Sequence, residues 1–481
     1  MNLLQNRLAL GMTDLVPTAP GELIDPQSQR IVEFLGSIGL PSNNIIADIV
    51  QRKSIGSNLR EVIAGIPEEQ RSDARYLSKF VLGAAYGLFD YSLNAIWNEV
   101  VVVLRRKAVV YGLDIFFDAA VGGSKNRDFY QSEDDLPALK DIILLDTSYK
   151  LELISDTTYK KLRHMLDMRN DVGISHPNEY SVTAFELLSY LEVTVRVLND
   201  QPTEAALQVQ SFIQNLKTRT DPIDSATEGT IKSKIVELPS HLCGSLLRTM
   251  FGIYVTPETD AAVRKNVATV SRHIWKAATD QPKYRLGIVL EGYKSNLHQD
   301  KHILGEQFFE NVGGNSYRSE SERSVILDEA ITDLYQKHNG WDNFHHEPPV
   351  ARKIASFVPD QASVPLNIAE PLFKTILVCR IGNGVRYHQG VSPGARSHYD
   401  AILALGGDKF GAIILTAVRD MARAGSFRSE VPRGQVESTL IEAKKNAINA
   451  RLIECYDFLI EKLPTDEEAP LSREFAQLFR V

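Results

Sequence analysis

Apolar residues recur every three or four positions along most of the chain, the spacing that places side chains on one face of an α-helix. The strongest series runs from Asp73 to Leu104 and predicts one long helix, followed by a second helix over residues 108–119. Shorter series of the same spacing predict further helices over residues 159–172, 203–216, 258–278, 322–338, 371–381, 409–424 and 437–463. The pattern therefore predicts an all-α protein.

Interruptions in this pattern divide the chain into four segments. They are a helical lead over residues 1–70, a helical bundle over 71–200, a linker with one helix over 201–237, and a C-terminal α-helical domain over 238–481. A chain of 481 residues is too long for one ordinary hydrophobic core. The C-terminal series of moderate helices favours a stacked solenoid of the HEAT type, with an irregular helical bundle as the alternative.

A corner between two helices is predicted at residues 168–178. Gly173 is suited to end the first helix, and Pro177 cannot continue one. Thr183 and Glu186 have the spacing of a capping box, which predicts that the second helix begins there. This corner holds the residues on which the functional interpretation depends.

Composition favours a cytoplasmic protein without a membrane partner. No apolar run approaches the length that spans a bilayer, and the N-terminus lacks the apolar core of a secretory signal peptide. Three scattered cysteines fit a reducing compartment better than a disulfide framework. The net charge of −8 argues against a general nucleic-acid coat, although a nuclease needs only a local positive cleft.

Arg169 and His176 in this corner are suited to phosphodiester chemistry. An arginine offers a planar fork of donors that matches a phosphate, and it stays charged at any working pH. A histidine exchanges protons near neutrality. In RNA the 2′-hydroxyl supplies the nucleophile, so neither a metal nor a cofactor is required. The alternative interpretation is that Arg169 and His176 are hydrogen-bonded within the fold and have only a structural role.

The sequence around these residues resembles the HEPN superfamily. Arg169, the polar Asn170 after it, and His176 after six intervening residues match its R-x(4–6)-H motif. The segment RNDVGISHPN also resembles the corner of the abortive-infection C-terminal branch of that superfamily. The resemblance covers about residues 75–200.

The resemblance implies a small helical bundle that dimerises so that two motifs form one composite site. It implies a metal-independent endoribonuclease that leaves a 2′,3′-cyclic phosphate and a 5′-hydroxyl. In that role His176 would be the acid and base, Arg169 the phosphate clamp and Asn170 a positioning hydrogen-bonding group. One departure is Asn178, where members paired with a nucleotidyltransferase antitoxin carry a tyrosine. The modified-tyrosine type of toxin is therefore disfavoured, while the nuclease activity is unaffected.

A toxin or anti-phage role in abortive infection also follows from the resemblance alone. RNA would be the substrate, and the chain would be a homodimer or a higher homo-oligomer. The C-terminal domain would regulate the nuclease, with a regulatory protein or a phage-derived trigger as a further partner.

Other polar residues are candidates for supporting roles. The resemblance makes Glu99 and Asn98 candidate supporting groups near the motif, and a solvent-facing carboxylate is the alternative for Glu99. Candidates for RNA binding on the helix that enters the motif, or in the loop before it, are Lys160, Lys161, Arg163, His164, Lys125 and Arg127. A solvated helix face and an ordinary polar loop are the alternatives for these cations.

A second group of cations surrounds a Gly-rich loop in the C-terminal domain. Candidates to bind an anionic ligand or a partner subunit are Arg380, Arg386, His388, Arg396 and His398. The alternative is that these polar residues of the loop serve only solubility. His298 and His302 are four residues apart, but no third ligand follows from the sequence, so no metal site is predicted.

The alternative function comes from a different class. The chain would be a catalytically inactive helical scaffold that binds a protein or nucleotide ligand. Dimerisation distinguishes the two hypotheses, because the composite site requires two copies of the motif.

Overall fold

A computed structural model describes residues 20–122, 127–172, 180–385 and 387–479. Throughout these residues the secondary structure consists of α-helices, short 3-10 helices and turns, and no strand is found among them. The predicted all-α class is confirmed. Among the described helices, none is by itself long and apolar enough to cross a membrane, and one bent pair, Arg396–Leu403 with Gly407–Arg423, passes that test only jointly.

The chain forms two compact units. The first unit comprises Met1–Ile253 and Asp260–Thr279, and the second comprises Tyr254–Thr259 and Asp280–Val481.

The α-helices that begin in the first unit are α1 (Pro20–Ser37), α2 (Ile49–Ala64), α3 (Glu68–Asp73), α4 (Arg75–Tyr86), α5 (Phe89–Tyr111), α6 (Leu113–Val121), α7 (Asp141–Lys150), α8 (Asp156–Val172), α9 (Ala184–Asn199), α10 (Glu204–Thr218), α11 (Ser225–Glu237), α12 (Ser240–Val255) and α13 (Ala261–Ala277). The α-helices that begin in the second unit are α14 (Asp280–Ser295), α15 (Gln299–Val312), α16 (Glu320–His338), α17 (Asn343–Phe357), α18 (Ala369–Ile381), α19 (Arg396–Leu403), α20 (Gly407–Arg423), α21 (Glu430–Lys444), α22 (Ala450–Lys462) and α23 (Arg473–Leu478).

The division between the units falls later than the predicted boundary at residue 238. The segment predicted as a linker with one helix contains two, α10 and α11, and both pack against α13. Asp224 opens α11 by accepting a hydrogen bond from the backbone N–H of Thr227 at 2.7 Å. The polar stretch is therefore a packed part of the first unit. Its second helix begins there because Asp224 supplies a side-chain cap.

The long helix predicted between Asp73 and Leu104 is broken. Gly87 ends α4 in the left-handed conformation, with φ of +78°, and a Cβ atom there would lie 2.9 Å from the backbone nitrogen of Ala47. Gly112, with φ of +120°, separates α5 from α6 inside the segment predicted as one helix over 108–119. In both places the chain adopts a conformation that L side chains rarely take, so apolar periodicity alone overestimates the helix lengths.

The helix α5 is the centre of the first unit. It packs against α4, α6, α7, α8 and α9, and Leu93, Ile96, Trp97, Val100 and Leu104 on it are inaccessible to solvent. These residues have the helical spacing seen in the sequence. The predicted bundle over 71–200 therefore has its core where the apolar series is strongest.

Glu99 is also buried on α5, so it is not the solvent-facing carboxylate of the alternative interpretation. Its Oε2 accepts hydrogen bonds from the backbone N–H groups of Tyr76 at 3.0 Å and Leu77 at 3.2 Å. These groups belong to the first turn of α4, which has no side-chain cap of its own. Burial raises the pKa of Glu99, and the two backbone hydrogen bonds oppose that shift. Glu99 therefore caps a helix inside the core.

The predicted capping box at the start of α9 is confirmed. The backbone N–H of Glu186 donates to Thr183 Oγ1 at 3.3 Å, and the backbone N–H of Thr183 donates to Glu186 Oε2 at 2.7 Å. This reciprocal pair satisfies two backbone donors that have no partner within the helix.

In the second unit, Glu347 is a fully buried carboxylate at the start of α17. Its Oε1 lies 3.0 Å from His338 Nδ1 and accepts a hydrogen bond from Asn343 Nδ2 at 2.8 Å, while its Oε2 accepts one from the Tyr399 hydroxyl at 2.6 Å. These partners connect α16, α17 and α19. Three donors from three helices compensate for the loss of water around this carboxylate.

We expect Glu347→Ala to lower the thermal unfolding midpoint by about 5 °C or more, because it leaves three buried donors without their acceptor. Glu454→Ala, at an exposed position of α22, is the matched control and should shift the midpoint by about 1–2 °C at most. Equal shifts in the two variants, measured by circular dichroism, would show that the buried carboxylate does not hold these helices together.

Candidate functional site

Arg169 lies in the last turn of α8, at the edge of the first unit. The buried face of α8 carries Leu162, Met165 and Leu166, and the helix packs against α5, α7 and α9. A cation is favoured in the last turn of a helix, because the unpaired carbonyl groups there carry partial negative charge. Arg169 keeps 29% of its side chain exposed.

Three neighbours fix the guanidinium of Arg169. Its Nε donates to Asn94 Oδ1 on α5 at 3.2 Å, and its Nη1 donates to Asn170 Oδ1 at 3.0 Å. Nη1 also lies 3.9 Å from Asp141 Oδ2 on α7. The guanidinium is therefore oriented before any ligand arrives, which reduces the entropy lost on binding.

Asp141 on α7 contacts residues of two other helices, α5 and α8. It lies in the first turn of α7, and its Oδ2 accepts a hydrogen bond from Trp97 Nε1 on α5 at 2.8 Å. The same oxygen faces Arg169 on α8. Trp97 is fully buried, so its single N–H donor depends on this carboxylate.

Asn94 and Asp141 contact Arg169, although neither is among the site residues predicted from the sequence. The only available signal was that Asn94 is a polar residue inside an apolar helical series. Asn98, one turn later, is exposed, and Glu99 caps α4; among the described residues neither candidate shares a hydrogen bond with Arg169. The sequence alone could not show which of the three polar residues on α5, Asn94, Asn98 or Glu99, contacts Arg169.

His176 lies in the segment 173–179, outside the described residues, and so do Lys125 and Arg386. Asn170 is exposed at the end of α8 and orients Arg169 through its carbonyl oxygen.

The Arg169 side chain is 29% exposed, so an anionic oxygen could approach it from the solvent. A phosphate would reach it beside Asp141, whose carboxylate already offsets part of the positive charge. Asn94 and Asn170 add acceptors without adding negative charge. The geometry therefore suits a positioned phosphate clamp of moderate strength, and it equally suits a structural connection between α5, α7 and α8.

The other cations of α8 are largely paired with carboxylates. Lys160 Nζ lies 2.7 Å from Asp156 Oδ2, and Arg163 lies between Asp167 at 3.5 Å and Asp146 at 4.0 Å. Lys161 is exposed on the same helix. Exposed ion pairs of this kind are weak. Nucleic acid could therefore displace these carboxylates, but the positive face is smaller than the sequence indicates.

His164 is exposed on α8, and its ring centroid lies 6.4 Å from that of Tyr190 on α9. Burial alone would raise the pKa of Glu186, but hydrogen bonds from Tyr180 and Thr183, with a smaller contribution from His164, make the net shift downward. Burial, with a smaller contribution from Glu186, raises the pKa of Tyr190 to about 12. Glu186 and Tyr190 on α9 are therefore titratable groups with shifted pKa values.

Arg127 donates hydrogen bonds within its own loop and to α6, and its assignment as an RNA-binding residue stays a prediction. Its Nε donates to Asp118 Oδ1 at 2.6 Å, and its Nη1 donates to the carbonyl oxygen of Tyr130 at 2.6 Å. The carboxylate of Asp118 is deeply buried, which raises its pKa, and the Arg127 guanidinium opposes that shift. These bonds hold the loop against α6.

The structure describes four of the five cations predicted as a group in the C-terminal domain, all but Arg386. Arg380 is 1% exposed and donates to Asp400 Oδ1 at 2.6 Å, Gln435 Oε1 at 3.2 Å and Ser438 Oγ at 3.2 Å, so it is a core residue and its assignment as a ligand-binding group is wrong. His388 and Arg396 are exposed. Burial and the nearby Arg352 lower the pKa of His398. The predicted set is therefore divided between the interior and the surface.

Comparison of this chain with protein-family models, with curated proteins and with solved structures finds no match.

We expect Asp141→Ala to destabilise the protein more than Arg169→Ala. Loss of Asp141 leaves the buried Trp97 N–H without its acceptor, at a cost of about 1–3 kcal/mol. Loss of Arg169 removes a partly exposed contact worth about 1 kcal/mol or less. Thermal unfolding midpoints of the two variants, with Arg196→Ala on the exposed face of α9 as control, measure the difference. A larger effect of Arg169→Ala would make the arginine itself the structural centre.

Proposed function

We propose that this protein is a metal-independent endoribonuclease, with Arg169 as phosphate clamp, Asn170 as the residue that positions it, and His176 as acid and base. The observation that carries the proposal is the orientation of Arg169. Its guanidinium is held by Asn94 and Asn170, stays partly exposed, and lies four residues before the segment 173–179 that contains the histidine.

The proposed reaction is attack of the RNA 2′-hydroxyl on the adjacent phosphorus atom. The hydroxyl proton passes to a histidine, the new O2′–P bond forms, and the bond from phosphorus to the 5′-oxygen breaks. A protonated histidine donates a proton to the leaving 5′-oxygen. Arg169 stabilises the charge that develops on the phosphoryl oxygens. The products are a 2′,3′-cyclic phosphate and a 5′-hydroxyl, and no metal or cofactor takes part.

Two copies of the chain would complete the site. The motif supplies one histidine, whereas the reaction needs a base and an acid at the same phosphate. A homodimer with two facing motifs would provide both, in agreement with the HEPN-like pattern of Arg169, Asn170 and His176.

The proposed biological role is that of a toxin or an anti-phage effector in abortive infection. The second unit would then regulate the nuclease, in response to a regulatory protein or a phage-derived trigger. An overall charge of −8 is consistent with a nuclease that binds RNA only through a local site.

A helical binding module without catalysis is the second candidate function. It is favoured by one observation, the contact at 3.9 Å between Arg169 and Asp141, which joins α7 to α8 without any ligand. In this case Arg169 would contribute to stability, and RNA would remain intact.

The decisive experiment incubates labelled RNA with the protein in excess EDTA and analyses the product ends. We expect cyclic-phosphate ends from the wild type and a loss of rate of about 100-fold or more in His176→Ala and in Arg169→Ala. Arg196→Ala is the matched control and should cleave as the wild type does. Cleavage that persists in both site variants would place the activity elsewhere, and RNA that is bound but intact would favour the binding module.

We also expect the wild-type protein to be a dimer at micromolar concentration, measured by light scattering after size-exclusion chromatography. Mixing the wild-type protein with an excess of the His176→Ala chain tests the composite site directly. Because the proposed site needs a histidine from each copy, mixed dimers should lack activity, and the excess variant should lower the activity of the wild type. A protein that remains a monomer, with and without RNA, would contradict the proposed arrangement.

A further inference from the structure

A polar cavity of about 730 Å³ lies within the second unit, among α15, α16 and α17. Its size is within the range of pockets that bind small molecules. Four residues that line it, His302, Asn315, Arg318 and Glu322, have side chains that are mostly or almost entirely buried. Three cations, Lys294, Arg352 and Lys353, also line it and are exposed.

Arg318 is the central charge of the cavity wall and is only 4% exposed. Its guanidinium carbon lies 5.9 Å from the ring centroid of Phe309 and 5.5 Å from that of Phe357. Its Nη1 donates to Glu306 Oε1 at 3.3 Å and Glu322 Oε1 at 3.4 Å. The aromatic rings and the carboxylates fix the arginine, but its Nε has no acceptor among the described residues.

Three more buried polar atoms in this wall have no hydrogen-bond partner among the described residues. They are Glu322 Oε2, Asn315 Oδ1 and His302 Nε2. Buried polar groups are rarely left in this state, because the loss of water around them is not compensated. The described part of the chain has twelve such side-chain atoms, and four of them belong to this one cavity. This concentration indicates a binding site.

The chemistry of these four atoms restricts the ligand. Arg318 Nε is a donor, Glu322 Oε2 and Asn315 Oδ1 are acceptors, and His302 Nε2 can be either. An apolar molecule would leave all of them unpaired. An inorganic anion would face the carboxylate of Glu322, and a simple cation would face Arg318. The ligand must therefore present donors and acceptors side by side.

We propose that this cavity binds a nucleotide, with the base against Arg318, Glu322 and Asn315 and the phosphate near the exposed cations. A nucleobase edge alternates N–H donors with oxygen or nitrogen acceptors. Lys294, Arg352 and Lys353 attract the phosphate, although Glu310 and Glu329 in the same lining oppose them. The proposal depends only on the second unit and holds whether or not the chain cleaves RNA.

The unpaired atoms are covered in the present arrangement, so contact with a ligand requires side-chain rotations in Glu322, Asn315 and His302 that open the wall in front of Arg318. Side-chain rotamer changes are common on binding.

The test is isothermal titration of the full-length protein with the four nucleoside monophosphates, their nucleosides, inorganic phosphate and free glutamate. At least one monophosphate should bind with a Kd below about 1 mM, which is the weak end of specific affinities. Its nucleoside should bind at least severalfold more weakly, because it lacks the phosphate. Phosphate alone or glutamate that binds as tightly as every nucleotide would overturn the proposal, as would a panel in which nothing binds.

Two variants locate the site. Glu322→Gln should weaken binding by about tenfold or more, because an amide places a donor where the base requires an acceptor. Lys353→Ala changes an exposed position. It should weaken binding of the monophosphate severalfold and leave the affinity for the nucleoside unchanged. The matched controls are Glu437→Gln and Lys374→Ala, both exposed on helices outside the cavity lining. Wild-type affinity in Lys353→Ala and Glu322→Gln together would refute the assignment of this cavity.

Discussion

The structure depends on one constraint, which is that a carboxylate removed from water must find donors inside the protein. Glu99 finds them at the start of α4, and Glu347 finds them on three helices of the second unit. Asp141, which keeps 29% of its side chain exposed, accepts the hydrogen bond that the buried indole N–H of Trp97 requires. A buried carboxylate without these partners would be strongly unfavourable. Each of the three therefore fixes how particular helices meet, which apolar contacts alone would leave less specific.

The same constraint determines the setting of Arg169. Asp141 is held in place by Trp97, and Arg169 then lies between this carboxylate and the amide of Asn94. A guanidinium fixed by neutral amides and one distant carboxylate is oriented and still partly exposed. It connects three helices, and its proposed second role is to hold a phosphate. Structural and catalytic roles are therefore compatible at this position, and measurements of stability and of cleavage separate them.

Two buried arginines in the second unit differ in whether all their donors have acceptors. This difference separates a structural residue from a residue of a candidate binding site. Arg380 donates to Asp400, Gln435 and Ser438, and it needs nothing further. Arg318 is held at longer distances by Glu306 and Glu322, and its buried Nε has no acceptor among the residues that the structure describes. The first was selected from the sequence as a ligand-binding residue, and the second was not. Only the arrangement of neighbours around each residue separates them.

The sequence by itself determined the all-α class, most helix positions and the capping box of Thr183 and Glu186, because these depend on residues a few positions apart. The pairing of Arg169 with His176 also came from the sequence and remains a prediction. The tertiary structure alone decided that Asn94 and Asp141 contact Arg169, that Glu99 and Arg380 are buried, and that Arg318 lines a cavity. Those outcomes depend on residues brought together by packing across tens of positions, which local periodicity does not encode.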